Sequence, residues 1–207
     1  DLKIYMQKAE LYYEIINQKN NVSWIDSAVF KRTLKQQLKK DSEQIINMIK
    51  LCGDWQAEED QKLNSLERLV KFEHSDEKIV VFTQYSDTAE YLYRQLQARG
   101  VKKISCVTGD TQNQVELVDR FSPHSNNAEI SADKELRVLI ATDVLSEGQN
   151  LQDSHIIVNF DLPWAIIRLI QRAGRVDRIG QEAEKIDCYS FFPAEGVEQI
   201  IKLRKRL

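Results

Sequence analysis

From residue 78 onward the chain alternates short apolar, β-branched runs with stretches of helical periodicity, and this alternation restricts its fold more than any other feature. The runs are Ile79-Val80-Val81-Phe82, Ile104-Ser105-Cys106-Val107, Leu136-Arg137-Val138-Leu139-Ile140, Ile156-Ile157-Val158-Asn159-Phe160 and residues 186–192. Helical patterns over 87–99, 112–121 and 165–172 lie between them. Strands that are apolar along their whole length are buried on both faces, so the pattern predicts an α/β fold, a parallel sheet flanked by helices. In such sheets ligands gather at the carboxyl ends of the strands.

The preceding stretch has another texture. It contains no proline and no glycine before Gly53, and its apolar residues recur at helical spacing: Leu2, Tyr5, Met6, Ala9, Tyr12, Tyr13 and Ile16. A second helix is expected over 27–52, with Val29, Phe30, Leu34, Leu38, Ile45, Ile46 and Ile49 inward and Lys31, Arg32, Lys35, Lys39 and Lys40 outward. A third is expected over 60–72. The division that follows is a helical segment, 1–58, and an α/β lobe, 59–207. Residues 122–133, with Pro123 and two asparagines, read as a long surface loop.

A hydrophobic fraction of 42% supports a real core, while 29% charged residues balance to a net −3. The whole chain is therefore no electrostatic magnet for nucleic acid, and any such contact must be local. Cys52, Cys106 and Cys188 are odd in number and lack C-x-x-C spacing, which points to small buried hydrophobes in a reducing compartment. His74, His124 and His155 are too scattered in sequence to read as metal ligands. No apolar run reaches 18 residues and no leader pattern is present, so the expectation is a cytoplasmic protein without membrane contact; a first residue other than Met fits an excised segment.

Chemistry concentrates in two stretches. Gln171-Arg172-Ala173-Gly174-Arg175-Val176-Asp177-Arg178-Ile179-Gly180-Gln181 sets arginines three residues apart, on one face if the run is helical. Guanidinium groups stay charged and form two-donor forks to phosphate oxygens, which suits charge developing on a transferring phosphoryl group. After the third strand, residues 141–152 combine Thr142, Gly148 and Asn150, which suit a phosphate or ribose.

At this point the chain resembles the Swi/Snf-type ATPases of helicase superfamily two, and within them the bacterial RNA-polymerase-recycling, RapA-like type. Residues 79–85 look like motif IV, Val107-Thr108-Gly109-Asp110 like the Thr-Gly motif, 141–152 like motif V, and 171–181, ending in Arg-Ile-Gly-Gln, like motif VI. The four occur in order over residues 60–205. Gly174-Arg175-Val176-Asp177-Arg178 lacks the histidine of the chromatin remodellers' version, which counts against a chromatin role.

The resemblance implies the second of two RecA-like lobes, with residues 1–58 as a subfamily-specific insertion or linker between them. It makes Arg175 and Arg178 arginine fingers for ATP hydrolysis, with Arg172 not a finger and dispensable by comparison. It places Gly148, Asn150 and Gln171 at the nucleotide, and Thr83, Gln84, Thr108, Gly109 and Thr142 toward the nucleic-acid track. ATP and Mg2+ are expected to be held mainly by the N-terminal RecA-like lobe of the same chain, since no Gly-x-x-x-x-Gly-Lys-[Ser/Thr] occurs here. Alone, the fragment is expected to be inactive. Duplex DNA and RNA polymerase are the implied partners. Three readings stay open at this level: a duplex-DNA translocase lobe, an RNA or strand-separating helicase lobe, and a catalytically silent interaction module. Among single residues, Thr83 and Gln84 also suit a plain strand end, Asn150 a turn, and Trp164 packing at a helix start.

Overall fold

A computed structural model describes residues 2–18, 22–53, 55–145, 149–163 and 165–192. The chain divides into two units, 1–55 and 56–207.

The first unit consists of α1 (Leu2–Asn17), a single 3-10 turn (Ser27–Val29) and α2 (Arg32–Cys52). The second helix starts at 32 and not 27 because the Asp26 side chain accepts from the Ala28 N–H and closes a separate turn, after which Lys31 is extended. Periodicity is present, but the inward placement is not. Leu34 and Ile46 are half-buried, whereas Val29, Phe30, Leu38, Ile45, Ile49 and, on α1, Met6, Tyr12, Tyr13 and Ile16 are exposed. Two helices provide no second layer against which an apolar stripe can close. Trp24 packs on Tyr13 with ring centroids 5.0 Å apart and donates its indole N–H to Asn17.

The second unit is the α/β lobe. Asp60 caps α3 (Gln61–Arg68) by accepting from the Lys62 and Leu63 N–H groups, and a wide turn (Leu69–Glu73) follows. Then come β1 (Ile79–Thr83), α4 (Ser86–Ala98), β2 (Ile104–Val107), α5 (Gln114–Phe121), α6 (Pro123–Asn126), β3 (Val138–Thr142), β4 (Ile156–Asn159), α7 (Ile166–Ala173) and β5 (Asp187–Ser190). The five strands are all parallel, in the order β2-β3-β1-β4-β5. This is the RecA-like α/β sheet.

Strand residues alternate between two cores. Ile79, Val81, Val138, Ile140, Ile156 and Val158 face Leu63, Leu66, Ala89, Leu92 and Leu96 of α3 and α4. On the other side Val80, Phe82, Leu139, Ala141 and Ile157 meet Val118 and Phe121 of α5, together with Leu145, Leu151 and Val176. At roughly 2 kcal/mol for each large apolar side chain removed from water, both cores drive the sheet to form. The register sets Thr83 opposite Thr142, so the motif residues that follow the strands start from one edge.

Two expectations fail here. Residues 122–133 do not form a plain loop, because Pro123–Asn126 is a helical turn whose His124 and Ser125 N–H groups donate to Asp153 at 2.9 and 2.8 Å. Nor are the cysteines buried hydrophobes. Cys52 and Cys188 are exposed and Cys106 is half-buried, with burial, aided by nearby Glu90, pushing the Cys106 thiol up to about 11. No described helix is long and apolar enough to cross a membrane.

Candidate functional site

The carboxyl ends of β1, β3 and β4 are joined by a buried ionic network centred on Arg172, which is only 1% exposed. Its Nε and Nη2 fork onto Asp143 at 2.7 and 3.2 Å, and Nη1 donates to Asn159 Oδ1 at 3.0 Å and to the Asp161 carbonyl at 3.1 Å. The guanidinium lies 5.5 Å from the Phe82 ring centroid. Asp161 in turn accepts from the Thr83 hydroxyl and, at 3.0 Å, from the Gln84 N–H, while Gln84 Nε2 donates to the Leu162 carbonyl. Thr83 is fully buried and ends its strand with its hydroxyl committed.

Arg172 is thus a structural centre of this edge, whatever it contributes to hydrolysis. A guanidinium so deep is tolerated only because carboxylate and amide oxygens meet its donors, and removing it strands those acceptors. Neither Asp143 nor Asp161 was singled out by the sequence. The available signal was position, since each follows the last residue or two of a strand.

The chain beyond Arg172 leaves the helix. α7 ends at Ala173, so the expectation of Arg172, Arg175 and Arg178 on one helical face is corrected: residues 174–180 run as consecutive turns. Three anchors impose this path. Val176 is fully buried in the α5-side core, the Arg175 carbonyl accepts from the Leu151 N–H at 3.1 Å, and Gln181 Nε2 donates to the carbonyls of Gln152, Ser154 and Val176. Gly174 keeps the bend close, since a Cβ there would stand 3.2 Å from the Ile170 carbonyl oxygen and the backbone would have to give by a few tenths of an ångström. Gly180, at φ +100°, takes the left-handed region that only glycine enters without strain.

Segments 150–154 and 174–181 therefore lie zipped together along the α5 face of the sheet. Between them, Arg178 Nη1 donates to Asn150 Oδ1 at 2.7 Å and its Nε to the Gly174 carbonyl at 3.1 Å. Arg178 is exposed and Arg175 half-buried. Asn150 and Arg178, far apart in sequence, are brought into contact, and Gln171 is exposed on α7. Gly148 and Trp164 lie outside the described residues.

At the end of β2 the Thr108 N–H donates to Thr111 Oγ1 and the Thr108 carbonyl accepts from Gln114 Nε2, a closed turn that leaves Gly109 exposed. Gly109 and Val144 approach closely enough that a Cβ at 109 would touch the valine at 3.7 Å. Thr142 is buried, and its hydroxyl has no hydrogen-bond partner among the described residues. Thr83, Gln84, Thr108, Gly109 and Thr142 thus lie at three strand ends and Asn150 and Arg178 in one loop pair, while Gln171 is on α7; Thr83 and Thr108 spend their polar groups internally.

The histidines, scattered in sequence, are partly reunited at the opposite edge of the sheet. His74 Nδ1 lies 2.5 Å from Glu77 Oε2, His155 Nε2 lies 3.1 Å from Glu77 Oε1, and the Tyr189 hydroxyl sits 2.8 Å from His74 Nε2. The hydrogen bond from His74, helped by the charge of both rings, holds the Glu77 carboxyl below its ordinary value. Among the described residues no group of three or more His, Cys, Asp or Glu side chains is placed to hold a metal ion.

A fold of this kind has known relatives. The family model "Helicase conserved C-terminal domain" matches residues 61–180. The chain is 35% identical over 130 residues to an uncharacterized ATP-dependent helicase, YqhH, of Bacillus subtilis, covering 62% of this chain and 21% of that protein. The crystal structure of the C-terminal part of the Fun30 ATPase domain superposes with a TM-score of 0.59 at 21% identity, over 80% of this chain and 52% of that one, a likeness of fold. S. cerevisiae Dbp5 bound to RNA and ADP BeF3 matches with a TM-score of 0.53 at 27% identity, over 70% of this chain and 35% of that one. The chain thus spans about a fifth of the length of the Bacillus helicase. Sheet order, motif placement and the match over more than half the sequence agree: the chain belongs to the helicase conserved C-terminal domain family, as the C-terminal RecA-like lobe of a superfamily-two helicase.

Proposed function

We propose that the chain is the second motor lobe of an ATP-driven translocase of the Swi/Snf type acting on double-stranded DNA, closest in pattern to the polymerase-recycling kind. The observation that carries this reading is the zipped pair of segments 150–154 and 174–181, which fixes the Arg-Ile-Gly-Gln turn through Gln181 and leaves the Arg178 guanidinium exposed. Arg175 and Arg178 reach the γ-phosphate of ATP held by the N-terminal lobe, and Asn150 and Gln171 are on the nucleotide side, the role the resemblance also gives Gly148. Mg2+ bound in that partner lobe supplies charge neutralisation of the phosphates. Gly109 and the Thr108 turn lie toward the nucleic-acid backbone, with the buried Thr142 beneath them and Thr83 and Gln84 shaping that edge through Asp161. Contacts of this type touch phosphates and carry no sequence information. Residues 1–58 act as a subfamily-specific element between the lobes.

The likeness to an RNA-bound helicase, Dbp5, supports a second reading in which the track accepts RNA. Phosphate release from the full-length protein, titrated with duplex DNA and with single-stranded RNA, separates the two, and a strand-displacement assay separates translocation from unwinding. Stimulation by duplex DNA without displacement is expected. Stimulation by RNA alone overturns the DNA assignment. The 207-residue chain by itself should release no phosphate above background, because it supplies fingers without a phosphate cradle. Robust turnover by it sinks the two-lobe reading.

A further inference from the structure

Arg178 is held by Asn150, and Asn150 is itself gripped from behind. Asn126 Nδ2 donates to the Asn150 carbonyl at 3.1 Å and to the Ser122 carbonyl at 2.9 Å, while Asn150 Nδ2 points at the Ser125 carbonyl at 3.4 Å. The orientation of the Asn150 amide follows from its partners, since an arginine only donates and a backbone carbonyl only accepts. The element that grips is α6, whose Pro123 opens the turn and whose end is closed by Asn127 in the left-handed region. Its position is fixed by Asp153, which accepts from the His124 and Ser125 N–H groups and the Ser125 hydroxyl and lies 3.7 Å from Lys78 Nζ. Lys78 is pinned in turn by Glu135 at 2.6 Å and by the Phe121 carbonyl at 2.5 Å.

We infer that the α6 turn, through Asn126, is a positioning element for the arginine finger at 178. It sets the Asn150 backbone, and the Asn150 amide oxygen then holds the guanidinium of Arg178 in place before nucleotide arrives. This rests on the finger reading of Arg178 given above and extends it to residues that touch neither nucleotide nor nucleic acid. A finger attached only by its own flexible side chain must be ordered at the moment of reaction, whereas one held at two points, by Asn150 and by the Gly174 carbonyl, is ordered beforehand.

In the full-length protein, Asn126→Asp preserves shape but removes the donor, and Asn126→Ala removes the side chain. Both should lower kcat for ATP by about tenfold, within the range that small misplacements of reacting groups produce, with KM for ATP changed less than about twofold. The Arg178 Nε–H resonance in a 15N-labelled sample should broaden or shift in both variants, a change that a merely stabilising turn would not cause. In an Arg178→Ala background neither substitution should lower kcat further. Parental turnover in both Asn126 variants, or losses that add to that of Arg178→Ala, overturns the clamp. Parental turnover in Arg178→Ala alone overturns the finger reading, so the two failures are told apart.

Discussion

Arg172 and Arg178 stand six residues apart in one motif and carry the same charge, yet their surroundings are opposite. Arg172 sits in the last turn of α7 with its donors spent on Asp143, Asn159 and the Asp161 carbonyl, and water is excluded from it. Arg178 sits past the helix end, exposed, on one amide oxygen and one backbone carbonyl. Burial with full pairing marks a group that organises the fold, while exposure with light, directional restraint leaves donors available to an incoming phosphate. The same residue type is therefore a keystone in one place and, on the function proposed above, a reagent in the other, and the helix end between them makes the division possible.

The largest expected effect tests the exposed member. In the full-length protein, Arg178→Ala or Arg175→Ala should lower ATP hydrolysis by about 10³-fold, with melting behaviour close to that of the parent and nucleotide affinity much less affected. Lysine at either position should not rescue, because an ammonium restores charge without the two-donor fork. Steady-state phosphate release and thermal melts measured together check this. Unfolding of the Arg178 variant would erase the contrast with Arg172.

The converse substitution should act on stability. Arg172→Ala leaves the Asp143 carboxylate and Asn159 oxygen without their shared donor, and breaking a buried pair from one side costs about 3 kcal/mol or more. Denaturant unfolding of the 207-residue chain is the measurement. Stability within about 0.5 kcal/mol of the parent, the range of ordinary surface substitutions, would mean that the network is not a keystone.

How much of this was legible beforehand depends on which physics was local. Apolar runs identified all five strands, with ends shifted by up to two residues: burial on both faces is written directly into the residue types of β1, β3 and β4, whereas β5 is exposed or half-buried. The Arg-Ile-Gly-Gln ending could be recognised, and its physical content is now visible: Gln181 satisfies three backbone carbonyls and Gly180 takes a left-handed bend. What stayed hidden was pairing across long sequence separation. Nothing near Arg172 announces Asp143 or Asp161, nothing in 122–133 announces Asp153, and helical periodicity in α2 says which residues are apolar without saying what covers them. The same limit made the arginines read as a helical face, since Val176 and the Arg175 carbonyl are anchored by Leu151 and its neighbours.

The smallest expected effect sharpens the comparison from the far edge of the sheet, where Glu77 binds two histidines and no functional role is assigned. Its carboxyl titrates below the ordinary 4.5 in the folded protein, chiefly because the His74 ring donates to it. A carboxyl whose folded pKa is depressed contributes stability that is fully present above its unfolded value and is lost as pH falls through the folded one. Glu77 should therefore add to the acid limb of the stability curve, from about pH 4.5 downward. Glu77→Gln should lower stability at neutral pH by about 1 kcal/mol or less, since the side chain is partly exposed and solvent screens the pair, and should flatten that acid limb. ATP turnover of the full-length protein should be unchanged, because the cluster lies at the strand ends opposite those that carry the motifs. Unfolding midpoints of parent and variant between pH 3 and 7 give the first two results and phosphate release the third. A change in turnover that exceeds the change in folded fraction would show that a saturated cluster at this edge also reaches the motor chemistry, and the division between keystone and reagent would then have to be redrawn.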